Sequence, residues 1–485
     1  MFIVIPYLTS DPEIYGIYTI CISFSIFLSY ADLGFVGAGQ KFAAESYAQG
    51  NREEEVKIIG FTNFVLLCFL LFFGITFFIL SFHPNLIVKG IDSIEKGNIA
   101  SSLVLTLAAF TPTTILQRLL QMIFGIRMED FIVQRINIIG SIIKISSILW
   151  FFKIGKYDIV GYFLFTQIIN FLSAICALFI AKKRYDYDFR FLIKCIRFNR
   201  EVFNKTKGLA YTSLFAIISW ILYYELDTIV IGKFLGAQQV AIFAIGLTLL
   251  SFFRNIFGIL FSPFNVRFNH FIGMGDESSL RLFYLQIVAI LAPVIVFPII
   301  TIAMMARPFV LTWVGVDYSD SISVVQVLVF CNIFAFITYP TNFMLVAKEH
   351  QKALYLVNTL LPFIYWGGIV FTFNFFGVNS FAVFKLVAFV VSACILYKMM
   401  VDYLSLTLIE SFKIIFLPMV IPLFFLILTT MVAKDFLPVV KSKINFIEVV
   451  MVSGILLVLT FIIQYFVSIT WREILRKIIK AVKVS

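Results

Sequence analysis

The sequence predicts an all-α integral membrane protein with about 13 to 14 transmembrane helices. Hydrophobic residues make up 61% of the 485-residue chain and charged residues 13%, against about 45–50% and about 25% in an ordinary soluble domain. Six stretches also run for more than twenty residues without a charged side chain, and a bilayer-spanning helix needs about 20 such residues. These stretches are 58–88, 159–181, 282–306, 321–347, 353–384 and 449–471.

Charge clusters and turn signals divide the chain into thirteen predicted spans. They lie near 14–40, 57–82, 98–124, 130–152, 158–181, 207–231, 238–262, 281–305, 321–346, 353–375, 379–402, 411–432 and 446–468. The apolar residues 1–8 indicate a fourteenth span but are too few to cross a bilayer. The pattern therefore predicts either that this first helix is truncated or that its true start lies upstream.

Lysine and arginine set the expected orientation. Alternate connections between spans form two sets, one holding 24 of the 38 basic residues and the other nine. The positive-inside rule places the richer set, which includes the tail 470–485, in the cytoplasm. The net charge of +11 follows largely from this rule and is not a sign of nucleic-acid binding.

The densest basic segment, 182–207, holds nine of these residues interleaved with apolar side chains. We interpret it as an amphipathic cytoplasmic linker on the anionic inner leaflet, with a docking site for a cytoplasmic partner as the alternative. A weak echo between 7–18 and 234–243 places one half of a parallel repeat on each side of it. The predicted domains are an N-terminal lobe 1–181, the linker 182–206, a C-terminal lobe 207–402, and two further spans with a basic cytoplasmic tail, 403–485.

Nine charged side chains in or next to the predicted spans are candidates for a position within the membrane. A charge at the bilayer centre costs about 2.5–3.5 kcal/mol on insertion scales, so such residues usually face a hydrated interior. The basic ones are Lys41, Arg118, Lys144, Arg254 and Lys385, and the acidic ones are Asp32, Glu45, Glu225 and Asp227.

Polar residues at helical spacing accompany the cations. Thr114, Arg118 and Gln121 share one helix face, Asn137, Ser141 and Lys144 share another, and Asn255 follows Arg254. Together these stripes predict a partly hydrated cationic cavity, with Arg118, Lys144 and Arg254 as its cations.

Several of these charges have simpler interpretations. Lys41 and Glu45 have the spacing of an interfacial ion pair, and Lys385 is close enough to an outer end to snorkel. Lys144 is harder to explain in this way, because about fourteen residues, or ~21 Å of helix, separate it from the inner end of its span. Asp32 and Asp227 are either ion-coupling carboxylates or structural partners of nearby basic groups.

Other kinds of chemistry are not indicated. The six cysteines lack metal-ligand and disulfide spacing, and the three histidines are scattered. No phosphate-binding glycine loop of the Walker type is present. We therefore expect no metal, no cofactor and no enzymatic activity.

Seven short motifs resemble those of Wzx-type polysaccharide (O-antigen) flippases, in matching order and on the fitting spans. They lie at 7–8, 15–18, 31–35, 117–118, 125–128, 227–236 and 241–243. The resemblance implies membership of the multidrug/oligosaccharidyl-lipid/polysaccharide exporter superfamily. In that fold two six-helix lobes surround a central cavity, and 411–432 and 446–468 would be two extra helices.

The resemblance also implies a substrate and a mechanism. Such flippases move an undecaprenyl-pyrophosphate-linked sugar unit across the bacterial cytoplasmic membrane by alternating access, for O-antigen or capsule synthesis. The cavity cations Arg118, Lys144 and Arg254 would bind the pyrophosphate. The implied partners are this lipid-linked glycan, membrane lipids, and polysaccharide polymerase and chain-length proteins.

Three alternatives stay open at this point. A multidrug exporter of the same fold would favour an acidic or neutral cavity, and a lipid II flippase would carry motifs that we do not find. A membrane polysaccharide polymerase or glycosyltransferase would need a sizeable segment outside the membrane, whereas the outer connections here reach only about sixteen residues.

Overall fold

The computed structural model of this chain describes residues 2–28, 30, 34–91, 93–152, 156–348 and 351–484. Helices and connecting turns account for all of this part of the chain, which contains no strand. Eleven of its helices are long and apolar enough to cross a membrane, and a bent pair raises that number to twelve. The predicted all-α membrane fold is confirmed.

The chain divides into two compact units, Met1–Ala241 (unit 1) and Ile242–Ser485 (unit 2). Helix α11, Ala237–Gly273, starts in unit 1 and continues into unit 2. The other helices of unit 1 are α1 (Ile5–Leu8), α2 (Pro12–Leu28), α3 (Phe35–Ala48), α4 (Arg52–Ser81), α5 (Ile94–Ile126), α6 (Asp130–Phe151), α7 (Ile159–Tyr185), α8 (Phe189–Cys195), α9 (Arg200–Trp220) and α10 (Leu226–Leu235).

Unit 2 continues in the same all-helical manner. Its further helices are α12 (Glu277–Met304), α13 (Ala306–Trp313), α14 (Ser321–Phe330), α15 (Ala335–Ala347), α16 (Gln351–Phe376), α17 (Val378–Leu404), α18 (Leu408–Ile415), α19 (Val420–Ala433), α20 (Lys443–Val467) and α21 (Ile469–Val484). The sequence assigns 207–231 to the second lobe, whereas compactness groups these residues with unit 1. The lobe boundaries stay a prediction.

Side-chain caps define the starts of α4, α5 and α7. Asn51 accepts from the backbone N–H of Glu54 at 3.1 Å at the start of α4, and Ser93 accepts from that of Lys96 at 3.1 Å at the start of α5. Asp158 does the same for Gly161 at 2.8 Å, ahead of α7. Each such cap contributes about 1 kcal/mol, because it satisfies an N–H group that has no partner within the helix.

Two predicted spans are broken rather than continuous. The span predicted at 14–40 consists of α2 and α3, and Gly34 before α3 has a φ of +80°. A Cβ at Gly34 would lie 2.5 Å from the carbonyl oxygen of Ala210, so both the backbone conformation and the close approach of α9 require glycine. The span predicted at 321–346 consists of α14 and α15, which bend by 44°.

The predicted basic linker consists of several separate helical pieces. Residues 182–185 are the last turn of α7, α8 is a separate seven-residue helix, and α9 already begins at Arg200. Leu192 of α8 is buried, and α8 packs against α4 where Gly60 meets Cys195. Part of the apolar surface of this segment is therefore covered by α4.

Charged residues that the sequence analysis assigns to loops connect this segment to other helices of unit 1. The guanidinium of Arg127 donates to Glu55 at 2.8 Å, and the two side chains are 4% and 0% exposed. The rings of Tyr47, Tyr185 and Tyr187 surround Arg127, with its guanidinium carbon 4.7, 4.8 and 5.5 Å from their centroids. We refer to these five residues as the Arg127 cluster.

A second ion pair lies beside the Arg127 cluster. Arg184 Nε donates to Glu129 Oε2 at 2.7 Å, and the hydrogen bond from Arg184 holds the pKa of the Glu129 carboxyl at about 2, well below its usual range. The guanidinium of Arg52 donates to the carbonyl oxygen of Tyr185 at 2.6 Å. The turn after α7 is thus tied to α4 and to the end of α5.

Replacing Gly60 with valine is expected to destabilise unit 1 by about 1–3 kcal/mol, the usual cost of overpacking. The new Cβ would lie 2.6 Å from the Cβ and the carbonyl oxygen of Cys195. The thermal midpoint of the detergent-solubilised chain would measure the loss. Gly208→Val is the matched control, since nothing lies within 4 Å of a Cβ at that helical glycine. Equal shifts in the two variants would contradict the predicted clash.

Unit 2 buries several polar groups in its core. The hydroxyls of Tyr284 and Thr341 are hydrogen-bonded to each other, and Trp471 Nε1 donates to the carbonyl oxygen of Ile290 at 3.1 Å. Lys385 is 1% exposed and lies over the ring of Tyr365 at 5.2 Å. The expectation that Lys385 snorkels outward is therefore wrong, because α17 turns this side chain into the helical packing.

Candidate functional site

A cavity of about 260 Å³ lies between α5, α6 and α7 in unit 1. Seven of its twelve lining residues are polar, which is unusual among helices that are otherwise apolar. The polar residues are Gln117, Gln121, Asn137, Ser141, Lys144, Asn170 and Ser173, and the apolar ones are Leu120, Val133, Ile136, Ala174 and Ala177. We refer to this cavity as the α5–α7 pocket.

The helical repeat brings the polar residues of each helix to one face. Asn137, Ser141 and Lys144 follow 4–3 spacing on α6, and Gln117 and Gln121 are four apart on α5. Small residues let α6 and α7 come close. A Cβ at Gly140 would lie 3.0 Å from Ser173 Oγ, so the glycine leaves room for this hydroxyl beside α6.

Lys144 supplies the positive charge of the pocket. Its side chain is half-buried, and its Nζ donates to Asn170 Oδ1 on α7 at 3.0 Å. The opposite face of α6 is apolar and exposed. Its side chains Ile138, Ile139 and Ile142 are 59%, 60% and 59% exposed. The helix thus presents an apolar face outward and a polar face with a cation toward the pocket.

Arg118 lies beside the pocket without lining it. Its guanidinium Nη1 donates to Gln121 Oε1 at 3.0 Å, and Gln121 is a lining residue. Thr114, one turn away on α5, is not a lining residue. The pocket lining includes no carboxylate, and Lys144 is the one charged residue among its twelve members.

The structure therefore brings part of the predicted set together. Gln121, Asn137, Ser141 and Lys144 line one pocket, and Arg118 joins them through Gln121. Arg254 and Asn255 belong to unit 2, where the Tyr339 hydroxyl donates to the Arg254 carbonyl oxygen at 3.4 Å. The roles of all these residues stay predictions.

The two predicted ion-coupling carboxylates are Asp32 and Asp227. Asp32 lies outside the described residues. Asp227 is 0% exposed, and its Oδ1 accepts from the backbone N–H of Thr228 at 2.7 Å and from its hydroxyl at 3.3 Å. It lies just after the π-helical turn Ile221–Glu225, which joins α9 to α10, and such turns are frequent at functional sites.

The sequence analysis did not predict three of the lining residues as part of a site. Gln117 was recognised only as part of a motif, while Asn170 and Ser173 of α7 were not singled out. Their 4–3 spacing with Thr166 is a stripe of the same kind as those on α5 and α6, and could have indicated a third polar helix. The predicted ion pair Lys41–Glu45 is confirmed, with its charged atoms 3.8 Å apart and both side chains at least half exposed.

The described residues contain no group of three or more His, Cys, Asp or Glu side chains that could hold a metal ion. The polar set of the α5–α7 pocket consists of amides, hydroxyls and a cation, which are suited to binding a polar or anionic molecule by hydrogen bonds.

At the level of sequence, no protein-family model matches this chain, and no curated protein matches it. Solved structures do match its fold. The lipid II flippase MurJ in an inward closed conformation is 14% identical with a TM-score of 0.68, over 96% of this chain and 95% of that chain.

Two transporters from the MATE family also match. An inward-facing multidrug resistance MATE transporter of the MOP superfamily is 13% identical with a TM-score of 0.64, over 83% of this chain and 93% of its own. The eukaryotic MATE transporter AtDTX14 is 14% identical with a TM-score of 0.52, over 85% and 95%. At such identities the likeness shows a shared fold, in agreement with the predicted all-α membrane fold.

Proposed function

We propose that this chain is a flippase that moves an undecaprenyl-pyrophosphate-linked oligosaccharide unit across the bacterial cytoplasmic membrane, for O-antigen or capsule synthesis. The observation that carries the proposal is the α5–α7 pocket, which places a lysine and six neutral polar side chains inside a bundle of membrane-spanning helices. A fold shared with a lipid II flippase supports it.

The physical problem of this reaction is the polar head of the substrate. A pyrophosphate and a glycan must pass through hydrocarbon, and unpaired polar groups lose several kcal/mol each when they leave water. Cations and hydrogen-bonding side chains reduce this cost by replacing part of the lost hydration. We assign the pyrophosphate to Arg118, Lys144 and Arg254, while the polyprenyl chain stays in the lipid.

Other parts of the proposal follow from the sequence. Coupling to an ion gradient would use Asp227, whose burial is suited to a carboxylate that gains and loses a cation, and Asp32. The basic connections support a cytoplasmic C-terminus. The product would pass to polysaccharide polymerase and chain-length proteins as partners.

A multidrug exporter is the second candidate, because one of the structures of similar fold is described as a multidrug resistance transporter. A pocket for cationic drugs would favour carboxylates, whereas the α5–α7 pocket contains a lysine and no carboxylate. This charge favours an anionic substrate.

Complementation tests the proposal. The chain would be expressed in bacteria that lack their own polysaccharide flippase, using several hosts that make different repeat units, and surface polymer would be read on a gel. We expect polymer to return in at least one host. No polymer in any host, together with raised resistance to cationic drugs in an efflux-deficient strain, would overturn the flippase in favour of the exporter.

A further inference from the structure

Unit 2 contains a charged cluster at the predicted cytoplasmic ends of three of its helices. Lys348 directly follows α15, and its Nζ donates to the carboxylate of Glu277, the first residue of α12. The ring of Tyr403, in the last turn of α17, has its centroid 4.2 Å from the same Nζ. The guanidinium carbon of Arg281 lies 5.6 Å from that centroid. We refer to these four residues as the Lys348 cluster.

The Lys348 cluster is built in the same way as the Arg127 cluster of unit 1. Glu55 and Glu277 are acids in the first turns of α4 and α12. Arg127 and Lys348 are the cations at the carboxyl ends of α5 and α15. The paired residues are 72 positions apart in unit 1 and 71 in unit 2. This matched spacing agrees with the predicted parallel repeat, and it gives the two clusters equivalent places in the order of helices.

The two ion pairs differ in their exposure to solvent. The side chains of Glu55 and Arg127 are 0% and 4% exposed, whereas those of Glu277 and Lys348 are 54% and 21% exposed. Separating a buried pair is costly because each charge stays buried without its partner. An exposed pair contributes little and is easily replaced by another pair. The pair in unit 2 is therefore the one that can open.

Glu277 also has an alternative partner on its own helix. Arg281 follows it by four residues, the spacing at which a glutamate and a later cation pair on one helix face. In this structure Nη1 of Arg281 donates instead to Ser405 Oγ at 3.2 Å, and its buried Nε has no hydrogen-bond partner among the described residues. The residue four positions after Glu55 is Ile59, which is buried and apolar. Unit 1 thus lacks the corresponding alternative cation.

We propose that the Lys348 cluster is a conformational switch in which Glu277 exchanges Lys348 for Arg281. In this structure Lys348 connects the end of α15 to α12 and α17. Pairing of Glu277 with Arg281 releases the last turn of α15, while the buried hydrogen bond between Thr341 and Tyr284 holds the preceding part of the helix. The predicted cytoplasmic end of unit 2 then opens locally, and the inference does not depend on which substrate is carried.

Hydrogen exchange of the backbone amides of 342–348, measured by mass spectrometry on the detergent-solubilised chain, tests the switch. Arg281→Met removes the alternative partner and the unpaired Nε, so we expect exchange in this segment to slow by about two- to fivefold. Lys348→Met removes the partner that holds the segment, and we expect exchange to become faster by about two- to fivefold. The last turn of α5, 120–126, is the reference segment within the same molecule and should not respond.

A double variant separates the switch from ordinary packing. With Glu277→Gln present, Arg281 has no carboxylate to exchange for, so adding Arg281→Met should no longer slow exchange in 342–348. Lys57→Met is the matched control, because it breaks an exposed pair of the same spacing, Glu53–Lys57 at 2.7 Å, on the equivalent helix α4. It should leave exchange in 342–348 unchanged.

Two results would overturn the switch. Unchanged or faster exchange in Arg281→Met would show that Arg281 only supports the arrangement seen here. Equal slowing by Arg281→Met with and without Glu277→Gln would show that the effect does not pass through the carboxylate. Both readouts are independent of polymer synthesis, so failure of the proposed function in every host would leave this test intact.

Discussion

Replacing Glu55 with alanine is expected to destabilise unit 1 by about 3–5 kcal/mol, the usual cost of removing one partner of a buried ion pair. Glu55 is the anion of the Arg127 cluster, and its side chain is 0% exposed. Without it, the guanidinium of Arg127 keeps its three tyrosine neighbours but loses its countercharge, although its side chain is only 4% exposed.

Thermal unfolding of the detergent-solubilised chain measures this effect, and protease sensitivity of the turn after α7 reports where it acts. Glu54→Ala is a matched control, because the neighbouring Glu54 also pairs with a lysine, Lys205 at 3.4 Å, but with both side chains partly exposed. A pair of that kind contributes only about 0–1 kcal/mol.

A double variant shows whether charge or packing dominates. Glu55→Leu with Arg127→Leu removes both charges together, and we expect it to recover part of the stability lost in Glu55→Ala. If Glu55→Ala costs no more than Glu54→Ala, the buried pair does not stabilise this part of the fold in the way described here.

Replacing Lys144 with methionine is expected to lower translocation by about 10- to 100-fold, while the thermal midpoint stays level or rises. A charge-assisted hydrogen bond contributes about 1.5–3 kcal/mol, and each 1.4 kcal/mol is a factor of ten. A half-buried cation among apolar helices is costly for the fold. Methionine has a similar shape and removes that cost together with the charge.

Opposite effects on activity and stability would identify Lys144 as a functional rather than a structural residue. Polymer yield in a complemented host and thermal unfolding of the same preparation give the two readouts. Lys144→Arg should retain more activity than Lys144→Met, because it keeps the charge. Lys183→Met, at an exposed position in the last turn of α7, should change neither. Lower stability with proportionately lower polymer would instead assign Lys144 a structural role.

Much of the lining of the α5–α7 pocket could be predicted, because the spacing of polar residues along the sequence shows which of them share a helix face. Asn137, Ser141 and Lys144 are on one face of α6 whatever the neighbouring helix is, and Gln121 follows the same rule on α5. The spacing of Thr166, Asn170 and Ser173 could have indicated a polar face on α7, but not the hydrogen bond that Asn170 accepts from Lys144, 26 residues away. The periodicity of residues within one helix does not show which residue of another helix they contact.

The pairing within the Arg127 cluster likewise could not be predicted from local sequence patterns. Glu55 and Arg127 stand near span ends, where charge patterning correctly indicates an interface but equally well describes two solvated loop residues. Their pairing joins positions 72 residues apart, and it depends on how α4 and α5 pack. Lys385 was assigned to an outer end for a similar reason, since its distance from a helix terminus does not show which way the helix is rotated.

By itself, the sequence determined that this is a membrane protein of many helices, where most of those helices lie, and which of their faces carry polar groups. These properties depend on local hydrophobicity and on the 3.6-residue repeat, both of which are properties of a single segment. Tertiary structure alone decided that 14–40 and 321–346 are broken, that Glu55 and Arg127 are buried together, and that Asn170 and Ser173 complete the pocket. Each of these depends on which neighbouring helix approaches and how closely, as at Gly34, Gly60 and Gly140, and that information is shared between distant parts of the chain.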